Sequence, residues 1–359
     1  MNQRVGQKHK RLTRREAFPL LGSLVAAPTI LTGCSSPTES EPLWVPGTIA
    51  FERRPSYSSD ETQRDIYIMD WSAETQINLT ADIPGSQGRP FWSPDGTALY
   101  FDSIVDGNSF IQRISDLTNP TGSLETIVDE EGHQSGPIVH SDGNLLVYCQ
   151  TDSLHELISG TMVAYDIDSG QEISRSGVTV VRVLGNNVSN NREFMPGQRK
   201  MMCTGVPSVG VFDPDTGSVE AYEFDSIPYS DYTKMYSVSH TQDGLFAYAL
   251  ATVGNFVDTL CSWNTAPGSR NVDMLDLKNI HGPRTRQMSE IIALPKQNIM
   301  LFSCRPGYVA STDPWKIGLT QLGTPPHTAG ERFTTVAFDN MTGSNYWPRH
   351  TFTEHIHSD

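Results

Sequence analysis

From residue 43 onward the chain is a succession of short apolar runs separated by Gly, Asp, Asn and Pro, and no stretch keeps the 3.6-residue period of a helix. The clearest unit is Arg89-Pro90-Phe91-Trp92-Ser93-Pro94-Asp95-Gly96-Thr97-Ala98-Leu99-Tyr100-Phe101-Asp102-Ser103. An apolar strand runs into a Pro-Asp-Gly turn, where glycine supplies the positive φ of a tight hairpin, and a second apolar strand leaves it. Weaker copies lead from Pro46-Gly47 into Ile49-Ala50-Phe51, and from Ser141-Asp142-Gly143 into Leu145-Leu146-Val147-Tyr148. Others lead from Pro196-Gly197 into Lys200-Met201-Met202, from Gln242-Asp243-Gly244 into Phe246-Ala247-Tyr248, and from Pro295-Lys296-Gln297 into Ile299-Met300-Leu301-Phe302. Measured at Gly47, Gly96, Gly143, Gly197, Gly244 and Gln297, the spacings are 49, 47, 54, 47 and 53 residues.

Six units of about 50 residues, each with room for four strands, predict an all-β, six-bladed β-propeller over residues 43–340. Candidate third strands are Asp65–Asp70, Phe110–Ile114, Met162–Asp166 and Val209–Asp213, and Val219–Phe224 is a candidate outer strand. Phe333–Phe338 is expected to finish the last blade or to pair with the first, and residues 341–359 to form a polar tail. A seven-bladed ring with one cryptic blade is the alternative. Two stacked sandwiches would not explain the even spacing.

The run Asp65-Ile66-Tyr67-Ile68-Met69-Asp70, then Asn78-Leu79-Thr80, then Pro90-Phe91-Trp92-Ser93-Pro94-Asp95-Gly96 resembles the WD40-like PD40 repeat of the TolB propeller group. The resemblance is good over residues 47–128 and fades toward the C-terminus. It implies a scaffold shared by many activities and makes envelope protein assembly a reasonable setting. Relatives of that kind usually carry an additional N-terminal domain, for which there is no room between Cys34 and Trp44.

The N-terminus carries a different signal. Thr13-Arg14-Arg15-Glu16-Ala17-Phe18 precedes an apolar run from Leu20 to Leu31, followed by Leu31-Thr32-Gly33-Cys34. Twin arginines, a short apolar stretch and a small-residue site ending in cysteine resemble a Tat-type lipoprotein signal peptide. The resemblance implies export directed by Arg14 and Arg15, removal of residues 1–33, lipidation of Cys34 and a polar tether over 34–42. Lys10 and Arg11 also suit a general secretory route. Ser35 after the lipidated cysteine implies the periplasmic face of an outer membrane if the cell is Gram-negative.

Removing residues 1–33 takes away six basic residues and one acid, and moves the formal charge from -15 to -20. Such a surface repels nucleic acid. Cys149, Cys203, Cys261 and Cys304 show no zinc spacing and read as buried thiols on strands.

In a propeller the loops leading into the innermost strands converge on one axial mouth. These carry Gln87 and Arg89, His133 and Gln134, Asn190 and Arg192, Tyr232 and Lys234, and Arg284 and Arg286. Such a ring would make a positive mouth, suited to a carboxylate, a uronate sugar or an acidic peptide end. The expected function is therefore a membrane-tethered binding module for a peptide, protein or glycan, with an envelope protein or an acidic glycan as partner and no cofactor. The alternative is a metal-assisted lyase or hydrolase on a uronate glycan, which needs a divalent metal and makes His133, His140 and Arg192 the first suspects. That alternative requires three of His133, His140, His155, His240 and His281 to converge. His350, His355 and His357 read as part of the tail, and no nucleophile elbow is present.

Overall fold

The computed structural model describes residues 48–55, 63–69, 75–152, 159–177, 180–181, 193–204, 209–222, 224, 233–240, 244–253, 256–266, 272–276, 287–294, 299–305, 316–321, 335–337 and 344–350. Among these the regular structure is β, apart from one 3-10 turn at Thr121–Ser123. The strands form six antiparallel sheets. The second holds β4 (Ser86–Trp92), β5 (Leu99–Val105), β6 (Asn108–Ile114) and β7 (Leu124–Val128) in chain order. The third holds β8 (His133–Val139), β9 (Leu145–Thr151), β10 (Ser159–Asp166) and β11 (Gln171–Arg175), with β12 (Val180–Val181) beside the start of β10. The fourth runs β13 (Glu193–Phe194), β14 (Met201–Thr204), β15 (Val209–Asp213) and β16 (Ser218–Ala221). The fifth runs β17 (Thr233–His240), β18 (Phe246–Val253), β19 (Phe256–Asn264) and β20 (Val272–Asp276). The sixth runs β21 (Gln287–Leu294), β22 (Ile299–Arg305), β23 (Lys316–Gln321) and β24 (Thr335–Ala337).

The first sheet breaks the chain order. β1 (Ile49–Arg54), β2 (Asp65–Met69) and β3 (Gln76–Asn78) are joined by β25 (Ser344–His350), which lies against β1 with Ile49 opposite His350 and Arg53 opposite Asn345. Two expectations are corrected here. Residues 344–350 were expected in a polar tail, yet they are the strand that unites the two ends of the chain. The Phe333–Phe338 segment supplies β24, which finishes the sixth sheet and does not pair with the first. The apolar run of β1 needs a partner on its open side, and Asn345-Tyr346-Trp347 supplies a β-prone one. His355 and His357 lie outside the described residues.

Neighbouring residues on a strand point to opposite faces, and here both faces are buried. Leu99 and Phe101 pack with Ala50, Ile66 and Ile68 of the first sheet, whereas Tyr100 between them packs with Leu146 and Tyr148 of the third. Val147 and Cys149 meet Met201, Cys203 and Phe212 of the fourth, while Met202 turns the other way to Val238, Ala249 and Trp263 of the fifth. This explains why the runs read as continuously apolar and not as alternating. Each such side chain removed from water contributes about 1.5–3 kcal/mol. Cys149, Cys203 and Cys261 are buried free thiols, and burial pushes the Cys261 thiol up to about 12. The Cys304 side chain lies outside the described residues.

Gly96 and Gly143 close equivalent hairpins, with φ of 70° and 80° and N–H bonds to Ser93 O and His140 O. In the fourth sheet the bonded residue is Gln198, whose N–H reaches Met195 O, and Gly197 sits one position earlier at φ 69°. Pro196-Gly197 therefore forms a type II turn, in which glycine takes the third place of the four. The units are related, but their turns are not superposable residue by residue.

Candidate functional site

The first strands of the second, third and fifth sheets share an irregularity. Their pairing slips between Gly88 and Phe91, between Ser135 and Ile138, and between Tyr236 and Val238. Arg89, Gly136 and Ser237 sit in these bulges with φ of 50°, 60° and 56°. A bulge turns a backbone N–H out of its own ladder. Glu52 Oε2 in the first sheet accepts the Arg89 N–H at 3.3 Å, and Asp102 Oδ2 in the second accepts the Gly136 N–H at 3.0 Å. Glu52 and Asp102 hold the same register, each opposite an isoleucine of the next strand, Ile66 or Ile111. Each carboxylate thus fastens its sheet to the bulge of the next. In the fifth sheet the Ser237 hydroxyl does this work, accepting the Ile291 N–H of the sixth at 2.8 Å.

Arginines complete the fastening. Arg64 reaches Glu52 Oε2 at 3.4 Å through Nη1 and Asp102 Oδ1 at 3.0 Å through Nη2. Arg89 Nη1 lies 2.9 Å from Asp102 Oδ2, and Arg54 Nε 2.7 Å from Glu52 Oε1. Both carboxylates and Arg64 are fully buried. A Cβ on Gly88 would stand 2.4 Å from Arg64 Nη1 and from Glu52 Oε2, so this position has no room for a side chain. Ions this deep persist only when paired and hydrogen-bonded.

Two glutamines pin the loops that lead into β4 and β8. Gln87 and Gln134 occupy the same place relative to their bulges and are fully buried. Gln87 Nε2 donates to Pro84 O at 2.8 Å, and Gln134 Nε2 donates to Glu130 O at 2.9 Å and Gly132 O at 3.1 Å. Gln150 Nε2 adds a bond to Glu131 O, and the Tyr148 hydroxyl donates to Glu130 Oε2 at 3.1 Å. Ser109 Oγ donates to Gln134 O and so ties the second sheet to the third at the same end.

The sequence matches no family model and no curated protein. The structure resembles TolB from Acinetobacter baumannii with a TM-score of 0.59 at 15% identity, covering 85% of this chain and 66% of that one. A structure of a nidogen/laminin complex gives 0.54 at 10% identity, over 86% of this chain and 99% of that one. Hydrazine synthase from Kuenenia stuttgartiensis gives 0.59 at 13%, over 85% and 46%. The fold is a β-propeller. The chain spans slightly under two thirds of the TolB structure, and at these identities the likeness concerns the fold alone.

Within the propeller the expected mouth residues have different fates. Arg89 is turned inward onto Asp102 with a side chain only 9% exposed, and Gln134 is a loop pin, so neither faces the mouth as a free group. His133 starts β8 opposite Thr151 and is half-buried, and Lys234 lies on β17 opposite Thr252. Asn190, Arg192, Tyr232, Arg284 and Arg286 lie outside the described residues, as do Arg14, Arg15 and Cys34. The network that the sequence reading missed is Glu52, Arg64 and Asp102. Its signal is present in the chain: Ile49-Ala50-Phe51 and Leu99-Tyr100-Phe101 each end on an acid, an expensive residue for a strand buried on both faces.

The histidines separate. His133 begins β8 and His140 follows its last residue, about 23 Å away along an extended strand. His140 Nδ1 lies 2.9 Å from Asp142 Oδ2, Nε2 lies 3.2 Å from Gln198 O of the next blade, and its ring meets Phe194 edge-on. His240 stands one register earlier in its hairpin than His140, opposite Ala247, with Glu193 Oε2 accepting its backbone N–H at 2.9 Å. His155 and His281 lie outside the described residues. Among the described residues no group of three metal-ligating side chains comes together, so His133 and His140 do not form the site that a metal-assisted reading requires.

At the end opposite the pinned loops, the hairpin turns of the second and third blades border an open cleft of about 600 Å³, with Tyr100, Arg113 and Ser115 among its lining. Its carboxylates are engaged in their own turns. Asp95 accepts from Ser93 Oγ and Thr97 N, and Asp142 accepts from Asn144 N and Leu145 N while bridging to Arg199 at 2.6 Å.

Proposed function

We propose that this chain is an exported, lipid-anchored, six-bladed propeller that serves as a binding module for an envelope partner, a peptide, protein or glycan, at its axial mouth. Export and anchoring rest on Arg14-Arg15, the apolar run and Leu31-Thr32-Gly33-Cys34. The blade number is supported by six sheets among the described strands and by the pairing of β25 with β1. The observation that carries the binding reading is the pinning of the loops before β4 and β8 by Gln87 and Gln134. Loops held by buried amides present a preorganised surface, which lowers the entropy cost of association.

The test is made in cells. A photo-crosslinking residue at His133 should trap a discrete partner that the same residue at Ser218, on the outer strand of the fourth blade, does not. Replacing Cys34 by serine should move the protein from the membrane to the soluble fraction. Trapping equal products at both positions would reject the mouth, and unchanged fractionation would reject the anchor.

A further inference from the structure

We infer that the mouth sector built by the second and third blades docks a basic protein segment, one rich in lysine and arginine. This rests on the binding-module reading and reverses the charge expected of the ligand. The antiparallel pairings bring the start of each first strand to the same end as the connection between its second and third strands: Ser86 faces Ile104, Val105 faces Asn108, and His133 faces Thr151. That end carries exposed Asp82 before β4, Asp106 in the β5–β6 turn, Asp129 and Glu131 before β8, and Asp152 after β9, with Glu130 half-buried among them. None of these six carboxylates forms an ion pair with a described cation. The arginines nearby, Arg64 and Arg89, bond inward to Glu52 and Asp102 and leave the surface field negative.

An independent feature points the same way. Gln87 and Gln134 are fully buried, and with their amide nitrogens given to the loop carbonyls, the Oε1 atom of each has no donor among the described residues. The negative ends of two fixed amide dipoles therefore lie beneath loops that already carry acids, and add to the field there. The carboxylates stand on separate loops and form no metal cage among the described residues. Separated, solvated acids on pinned loops suit several ammonium or guanidinium groups spaced along an extended segment.

The experiment uses the full chain and two probes of equal length, a lysine-rich peptide and a glutamate-rich one, titrated at low and physiological salt. The lysine peptide should bind, and binding should weaken with salt. The variant Asp129→Asn/Glu131→Gln should weaken it about 3- to 30-fold, the combined effect of two exposed charge pairs. The variant Asp168→Asn/Glu220→Gln removes the same two charges away from the mouth and should leave affinity within about twofold. All four positions are exposed, and matching thermal unfolding would show that both variants fold. Equal weakening in both variants would show that net charge alone attracts the peptide and would overturn the inference, as would preference for the glutamate peptide. A partner trapped at His133 without lysine-peptide discrimination would sink this inference and spare the binding module. Site-specific lysine binding with no partner trapped would uphold the charge preference and remove the cellular role.

Discussion

Asp102 does three things at once: it accepts the Gly136 N–H, pairs with Arg64 and pairs with Arg89. Removing it leaves buried guanidinium charge facing a void. Asp102→Ala is expected to cost about 3–5 kcal/mol, read as a lower denaturant midpoint. Asp102→Asn keeps the shape and one acceptor, so a smaller loss is expected. Equal losses would show that the charge is not what matters. Gly88→Ala tests the same knot from the other side, because its methyl would collide with Arg64 and Glu52. It should destabilise although no interaction is deleted. These residues were poorly legible in the sequence for a physical reason. A strand pattern shows that an acid sits in an apolar run, but its partner Arg64 comes from another segment and Arg89 reaches it only because the backbone adopts a positive φ. Arg89 looked like a mouth residue because nothing local reveals that its side chain folds back.

At the scale of elements, strand identity was legible wherever both faces are buried, since runs such as Leu145–Tyr148 leave few other readings. The Asp106-Gly107 turn was equally readable, with φ of 52° and 82° in a two-residue hairpin loop. What could not be read was which strand completes the first sheet. Pairing between β1 and β25 links residues nearly a whole chain apart, and Ser344–His350 carries a proline and polar side chains that look like a tail. Pro348 cannot donate to a ladder, which suits an edge position better than a central strand. A chain ending at residue 343 should therefore keep its other strands yet expose the edge of β1. Expected are earlier proteolysis near β1, self-association, and recovery when a peptide of residues 344–350 is supplied in excess. A truncated chain with unchanged proteolysis and unfolding would show that β25 contributes nothing to closure.

Across the whole molecule, charge is arranged by end. The mouth end of the second and third blades carries unpaired acids, whereas the hairpin end ties its acids into turns. Hydrogen bonds from Ser93 and Thr97 hold the Asp95 carboxyl below the usual carboxylate range. Partial burial opposes the same shift at Asp142, but bonds from Leu145 N, Asn144 N and His140 outweigh it. Asp166 is lowered by Ser169 and Asn144, and Asp116 by Thr118. A carboxyl whose folded pKa is depressed releases its proton more readily in the folded chain than in the unfolded one. Its contribution is present above the unfolded value of about 3.9 and is lost as pH falls through the lower folded value. The propeller should thus hold a steady unfolding temperature from pH 7 to about 5 and lose stability steeply below about 4. Asp95→Asn and Asp142→Asn should each lower stability at pH 7 and flatten the decline below pH 4, because the group that binds the extra proton on unfolding is gone. A decline of unchanged steepness in the double variant would place the acid sensitivity elsewhere, in carboxylates of the mouth or in the buried pair Glu52 and Asp102.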